Sequence, residues 1–536
     1  MRVALRIVAT FFCVLATGMS VQADVELAPA DAELHEIVDH YIDLRLKDAD
    51  VTPAPQADDA NLLRRTMLDL VGRIPTADEA RRFIASADAN KRAAMVDRLI
   101  ASPAFPRHHA NELNTMLMQG NGDLLKYLRP AVTENRPWDR IFRDLLAADP
   151  ETGADQFLKS RVKDLDRLAN DTSVIFFGVN VSCAQCHDHP LVSEWTQSHF
   201  FGMKSFFSRT FENGDFLGER DYGLVKFQTT GGEEKVAPLM FLTGTVLEEP
   251  DASEPSNEQK KAEKEQLEEL KKNKQPPPAP SFSRREQLAS IALDDDENVY
   301  FSRAIVNRVW SRLFGRGLVA PVDQMHPENP ASHPELLDWL ARDLVQHDYD
   351  LRRLIRGLIL SNAYSRSSRW EGDGNPSPEL FAVAAIRPLT PAQYATSLRL
   401  ASMSPGWFPG TAASDDFEKR IEQVETSARS FAGMIDQPGE DFQVSVAEAL
   451  LFNNNQRITS EFLRDSDDSL VGKLKTIETP EQVIEEAVWN VFARPVTVDE
   501  SRVLAEYLSQ YKENRTIAAQ QLVWALLTTN EVRFNY

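Results

Sequence analysis

The segment VSCAQCHDHPLVSEWTQSHFFGMKSFF, residues 181–207, divides the sequence into two patterns. Apolar residues recur at helical spacing before it, whereas glycine-punctuated, β-branched runs follow it. The segment also contains Cys183 and Cys186, which form the pattern C-x-x-C-H with His187. The segment therefore marks the change in predicted secondary structure and also contains the most distinctive chemical motif of the chain.

Short amphipathic helices are predicted before the segment. Apolar side chains recur three and four residues apart in 32–47, 61–71 and 91–100. Thr76 and Glu79 have the spacing of a capping box, which opens a further helix. Short, closely connected helices of this kind are typical of a helical bundle.

The pattern after the segment predicts a small β element and then a second helical unit. Two β-branched runs flank Gly231 and Gly232 as in a hairpin, and the following stretch is charged and then proline-rich, with too little apolar surface to fold. We therefore predict a mainly α protein with two helical units, a small β-hairpin insert and a charged, Pro-rich linker. The expected boundaries are a signal peptide at 1–23, a helical domain at 24–210, a β insert at 211–248, a disordered linker at 249–282 and a helical domain at 283–536.

The N-terminus predicts export. Arg2 and Arg6 precede an apolar run, 7–17, that includes Cys13, and a small-residue cleavage site follows at Ala23, as in a secretory signal peptide. No later window approaches 18 apolar residues, so no transmembrane segment is expected in the mature chain. We expect a periplasmic or secreted protein.

The acidic composition disfavours some partners. The formal net charge is −22, and removing the signal peptide with its two arginines leaves −24. Such a surface repels phosphate backbones and anionic lipids, so nucleic-acid binding is not expected. The partner expected instead is an unidentified redox partner or another exported protein.

The C-x-x-C-H pattern predicts covalent haem c. Its cysteines have the spacing that forms two thioethers with haem, while the adjacent histidine ligates the iron. Positions three and four apart share a helix face, so both sulfurs and the imidazole reach one flat macrocycle. In bacteria this attachment takes place outside the cytoplasm, which agrees with the predicted export. We expect Cys183, Cys186 and His187 to bind the cofactor.

Two other chemistries fit the same segment. A zinc site would use Cys183, Cys186, His187 and His189, although His-x-His is not the usual finger spacing. A structural disulfide or a redox dithiol would use the two cysteines alone, without any cofactor. The surrounding pattern shows no thioredoxin-like unit, which a redox dithiol would normally occupy.

His199 and Met203 are the candidate distal ligands of a haem. They lie four apart in a predicted helix and share a face, so either side chain would reach the iron. In the alternative interpretation, His199 caps the helix and Met203 packs in the core. With neither as ligand, the iron would be five-coordinate and open to small ligands.

Two further polar groups have structural and functional interpretations. His108 and His109 point about 100° apart on a helix, so surface or capping roles are expected, with a second haem ligand as the alternative. Glu335 and Asp338 lie three apart, close enough for a carboxylate pair in hydrolysis, with interhelical salt bridges as the alternative. Whether the chain is an enzyme stays open. Glu335 and Asp338 belong to a polar set of the second helical unit, which comprises Arg303, Asn307, Arg308, His333, Glu335 and Asp338.

Several long motifs occur in a fixed order along the chain. They are LLRR at 62–65, LDLVGRIPT at 68–76, VDRLIASP at 96–103, NRPW at 135–138, CAQCHDHP at 183–190, Arg303 with VNRVW at 306–310, LFGRGLV at 313–319 and HPELLDWL at 333–340. In these motifs the sequence resembles the large two-domain exported proteins of planctomycetes. Their N-terminal unit is called planctomycete cytochrome C type 2 (domain of unknown function 1549), and domain of unknown function 1553 follows it.

The resemblance implies a cytochrome c-like role, since the family's label follows from the cysteine motif. We therefore expect an exported protein that binds haem and transfers electrons. The first alternative is a polysaccharide-processing enzyme or accessory protein with a structural Cys-His turn. The second is a non-catalytic scaffold or binding protein with a Cys/His metal site.

Overall fold

The computed structural model describes residues 27–29, 31–190, 192, 195–250, 254–294, 298, 300–408, 415–439, 448, 450, 452, 455–511 and 513–536. The predicted signal peptide, with Cys13, lies outside these residues. The described chain is mainly α-helical with small antiparallel hairpins, which confirms the predicted fold class. No helix in this part of the chain combines the length and the apolar character needed to cross a membrane.

The first half contains short helices whose ends follow local rules. Thr76 and Glu79 form the predicted capping box, and Gly72 ends the preceding helix with a left-handed φ of 70°. The helices are Leu34–Asp48, Asp59–Val71, Ala77–Ala85, Lys91–Ala101, Ala104–Met118, Leu125–Thr133, Trp138–Ala147, Gln156–Lys159, Leu165–Phe177 and Gln197–Ser205, with a 3₁₀ turn at Ser182–Gln185.

Two hairpins follow this helical half. Strands Lys226–Gln228 and Glu234–Val236 pair around the two predicted turn glycines, and they are shorter than the β-branched runs that predicted them. A further hairpin, Thr210–Asn213 with Phe216–Glu219, was not predicted from the sequence. A third pair joins Arg387–Pro388 to Phe534–Asn535 at the C-terminus.

The stretch predicted as a disordered linker contains a helix, Asn257–Lys272. Ser256 and Gln259 form a capping box at its start, and none of its residues is buried. Polar contacts hold it to the first hairpin: Asn213 donates to the Leu267 carbonyl at 3.1 Å, and Arg220 lies 3.1 Å from Glu263. The composition lacks the apolar residues of a core, but it is compatible with a surface helix.

The second half is again helical. Its helices are Arg284–Ala292, Phe301–Phe314, Pro334–Gln346, Leu351–Leu360, Asn362–Ser365, Pro391–Ala401, Asp415–Ala432, Leu470–Leu474, Pro480–Phe492, Val498–Gln510, Arg515–Leu527 and Asn530–Arg533. Short 3₁₀ turns lie at Pro378–Leu380 and Pro405–Trp407, and a π-helical turn lies at Ile458–Phe462.

The hydrophobic core crosses the middle of the chain. One cluster of buried apolar residues is formed mainly by residues 34–382 and also includes Trp489 and Ala493. Within it, helix Leu34–Asp48 packs against helices Pro334–Gln346 and Leu351–Leu360. A second cluster is formed mainly by residues 389–532. The predicted domain boundaries stay predictions, but apolar packing is continuous across residue 283.

Candidate functional site

The backbone before the cysteine turn is fixed by the second half of the chain. Helix Leu165–Phe177 ends at Gly178, whose carbonyl accepts a hydrogen bond from the Met325 amide at 2.9 Å. The Asn180 amide then donates to the Asp323 carbonyl at 2.9 Å. Residues of the second half of the chain therefore help to position the backbone at which the cysteine turn begins.

Cys183 lies in a 3₁₀ turn, Ser182–Gln185, and Cys186 is the residue that ends it, in place of the predicted α-helical turn. The Asn180 side chain accepts from the Ser182 amide at 3.1 Å and from its hydroxyl at 2.7 Å, which caps the turn. Ala184 is fully buried and anchors it, while Cys183 and Cys186 are exposed and form no disulfide. Both thiols are therefore open to reagents from solvent.

The His187 imidazole is exposed and has a defined tautomer. Its Nδ1 lies 2.7 Å from the Asp188 carbonyl oxygen. A carbonyl can only accept, so Nδ1 carries the proton and the neutral ring keeps a lone pair on Nε2. A hydrogen bond from one ring nitrogen to a backbone carbonyl is the usual way in which proteins orient a metal-ligating histidine.

The neighbouring His189 has a different role. It is buried, and its Nδ1 accepts from the Val192 amide at 3.1 Å, which closes a local loop. Burial lowers the pKa of this imidazole, and the nearby His326 and His187 lower it further. Across the described ranges, no group of three His, Cys, Asp or Glu residues is placed to hold a metal ion.

His199 and Met203 have the structural roles of the alternative interpretation. The His199 Nδ1 accepts from the Thr196 amide at 3.2 Å and completes a capping box for helix Gln197–Ser205. Burial lowers the pKa of His199. Met203 is fully buried in the main core. Both candidate distal ligands are thus already engaged within their own helix and its packing.

His326 is a site residue that the sequence did not reveal. It lies in the second half of the chain, and its ring centroid is 5.9 Å from that of His189 and 5.9 Å from that of Trp195. Its Nδ1 is buried and has no hydrogen-bond partner among the described residues. Nothing in its local sequence pairs it with the cysteine motif, and only the fold brings the two together.

Several residues of the polar set of the second half make structural contacts. Asp338 forms an ion pair with Arg303 at 2.7 Å, so it is not free to pair with Glu335. The buried Asn307 side chain donates to the Val319 carbonyl at 2.8 Å and accepts from its amide at 3.0 Å. His333 is buried, and burial lowers its pKa to about 4. The salt-bridge alternative describes this group better than acid–base catalysis.

The prediction that His108 and His109 are surface or capping residues is wrong. Both are buried, because helix Ala104–Met118 is enclosed by neighbouring helices. His108 packs against Gly72, and burial lowers its pKa to about 3. His109 lies 3.1 Å from Arg312 at the wall of a cavity.

Comparison with protein families gives two matches. Residues 37–212 match the model PSCyt2, described as a protein of unknown function (DUF1549). Residues 284–508 match the model PSD1, described as a protein of unknown function (DUF1553). Neither the curated proteins nor the solved structures contain a match to the chain. The two regions follow one another in the order that the sequence motifs predicted.

Proposed function

The chain belongs to the two-domain proteins in which a PSCyt2 (DUF1549) region precedes a PSD1 (DUF1553) region, and from this premise we propose that it is an exported c-type cytochrome-like protein. Cys183 and Cys186 would attach haem c, and His187 would ligate its iron. Bound haem would supply one-electron transfer or the binding of a small ligand. The partner would be another exported redox protein.

The observation that carries this proposal is the arrangement of the cysteine turn. Both thiols are exposed, Cys183 in the 3₁₀ turn and Cys186 at its C-cap. The Asp188 carbonyl orients His187 so that Nε2 retains the lone pair that a ligand needs. These residues fit the group in donor type, protonation and access.

Within this region, His187 is better placed to ligate a metal than His199 or Met203. The neutral His199 ring carries its proton on Nε2, because Nδ1 accepts the Thr196 amide. Using its Nε2 as a ligand would therefore break the cap of helix Gln197–Ser205. Met203 would have to leave the core. Binding of a small ligand by the haem-loaded protein is accordingly part of the proposal.

The test is production of the full-length chain in a bacterium that matures c-type cytochromes. We expect exported, coloured protein with a Soret band, and a mass increment of one haem that survives denaturation. The double variant Cys183→Ser with Cys186→Ser should lose both signals. His187→Ala should keep the covalent mass but change the spectrum. The control His40→Ala, at an exposed histidine distant in sequence from the cysteine motif, should change neither.

Colourless protein without a tetrapyrrole from that host would overturn the proposal. Elemental analysis of the same sample would then separate the alternatives, because the scaffold with a metal site requires bound zinc and the structural Cys-His turn does not. A mature chain that still begins at Met1 would contradict the export step by itself.

A further inference from the structure

A cavity lies where the two halves of the chain meet. Helices Ala104–Met118, Phe301–Phe314 and Leu351–Leu360 contribute to its wall, and its volume is about 350 Å³. None of its lining residues belongs to the segment 181–207, so the cavity is separate from the cysteine turn. A space of this size suits a small molecule with an apolar body. Much of the lining is apolar and includes Phe105, Leu113, Met116, Ile305, Val309 and Ile355.

Two arginines of the cavity wall already have partners within the protein. Arg308 and Arg352 each donate to two backbone carbonyls. A nearby aspartate offsets each charge, Asp323 that of Arg308 and Asp350 that of Arg352. These two arginines therefore do not require an anion from solvent.

The third arginine, Arg312, is balanced by carboxylates, and one of them lines the cavity. Arg312 donates to the His109 ring at 3.1 Å, and Glu112 and Asp69 are the negative charges that act on it. Glu112 is the one acidic residue of the lining and is only partly buried. Burial raises the pKa of Glu112, and the charge of Arg312 lowers it. Within the described ranges, the Glu112 carboxyl forms neither a hydrogen bond nor an ion pair, so its capacity to accept is unused.

We propose that this cavity binds a small neutral molecule that has an apolar body and a hydroxyl group. The hydroxyl would pair with the Glu112 carboxyl, and the body would lie against the apolar side chains of the wall. A hydroxyl both donates and accepts, so it can pair with Glu112 in either protonation state. A carboxylate head would meet Glu112 as a like charge, and an ammonium head would be repelled by the arginines. A hydrocarbon would displace water from the carboxyl without replacing its hydrogen bonds.

The experiment compares three ligands by titration calorimetry on the full-length chain. They share a propylphenyl body, and the hydroxyl is present in 4-propylphenol, absent from propylbenzene and replaced by a carboxylate in 4-propylbenzoate. We expect saturable binding of 4-propylphenol and binding of the other two weaker by at least about tenfold, which corresponds to loss of a hydrogen bond to a charged group. No binding of 4-propylphenol, or an equal affinity for either of the other two, would overturn the proposal.

A variant of Glu112 tests its pairing with the hydroxyl. Glu112→Met has a side chain of similar length without an acceptor oxygen, so it should bring the affinity for 4-propylphenol to within about threefold of that for propylbenzene. Glu151→Met is the matched control, because Glu151 is exposed and does not line the cavity, and it should keep the full difference. An undiminished difference in folded Glu112→Met would contradict the assignment.

A second variant tests the cavity itself and does not depend on Glu112. Thr115 is an exposed residue of the lining, so Thr115→Trp should fill the mouth of the cavity and abolish binding of both 4-propylphenol and propylbenzene. Thermal unfolding shows whether each variant is folded. An unchanged affinity for 4-propylphenol in folded Thr115→Trp would place the binding elsewhere and overturn the proposal.

Discussion

At the residue scale, Asp69 joins distant parts of the chain. Its carboxylate accepts two hydrogen bonds from Arg387, at 3.0 and 2.7 Å, one from the Tyr364 hydroxyl at 2.7 Å and one from the Asn535 side chain at 3.1 Å. Asp69 is only 4% exposed. Asp69 is buried, Arg387 is largely enclosed, and two hydrogen bonds join them, so removal of one partner from this pair is costly.

Asp69→Asn should lower the free energy of unfolding by about 3–5 kcal/mol, because the buried Arg387 charge then lacks its counterion. The measurement is urea unfolding followed by circular dichroism. Asp97→Asn is the control, since the Asp97–Arg356 pair is largely exposed and such pairs contribute about 0–1 kcal/mol. Similar losses in both variants would show that the buried network does not stabilise the fold as argued.

At the element scale, helix Val498–Gln510 depends on polar contacts at its start. None of its residues is fully buried. Thr497 and Glu500 form a capping box, and Glu500 also receives two hydrogen bonds from Arg494 at 2.9 and 2.7 Å. These hydrogen bonds, with that of the Thr497 amide, lower the pKa of Glu500 to about 2.

The lowered pKa gives a pH dependence of defined sign. Glu500 ionises near 4.5 in the unfolded chain, so its stabilising contribution is complete above that pH and is lost as the pH falls towards 2. Glu500→Gln should therefore lower the unfolding midpoint at pH 7 and reduce the further fall between pH 5 and pH 3. Thermal scans across this range test it. The control Glu506→Gln, at an exposed glutamate of the same helix, should show the wild-type dependence of the unfolding midpoint on pH. The same wild-type dependence in Glu500→Gln would show that Glu500 is not the stabilising carboxylate.

At the scale of the whole molecule, the two family regions share one core. Helix Leu34–Asp48 is packed against helices of the second region, and Gly357 allows close approach at Leu34, where an added Cβ would lie 2.5 Å from the Leu34 side chain. Arg64 also donates to the Glu531 carbonyl at 2.9 Å near the C-terminus. Separating the regions would expose the apolar faces of these helices to water.

Fragments 27–282 and 283–536 should therefore fail to unfold cooperatively when produced separately, and should recover a cooperative transition when mixed. Calorimetry of each fragment and of the mixture measures this. The control is the intact chain cleaved by protease after Lys274, beyond the exposed linker helix, which should stay assembled. Cooperative unfolding of fragment 27–282 alone, at the midpoint of the intact chain, would contradict a shared core.

The sequence by itself determined the features that depend on near neighbours. Apolar spacing of three and four residues predicted the helices at 32–47, 61–71 and 91–100, Thr76 and Glu79 predicted a capping box, and the two turn glycines predicted a hairpin. The C-x-x-C-H pattern is equally local, so its residues were identified without any tertiary contact. Such patterns are readable because helix faces, caps and tight turns are set within a few residues of the chain.

Only the tertiary structure decided which distant residues meet. His109 and Arg312 are 203 positions apart in sequence and lie in contact. His326, in the second half of the chain, lies beside His189, which follows the cysteine turn. The same packing buries His108 and His109, which local polarity placed at the surface. Burial and the pairing of distant side chains depend on how helices pack, and no local spacing encodes that packing.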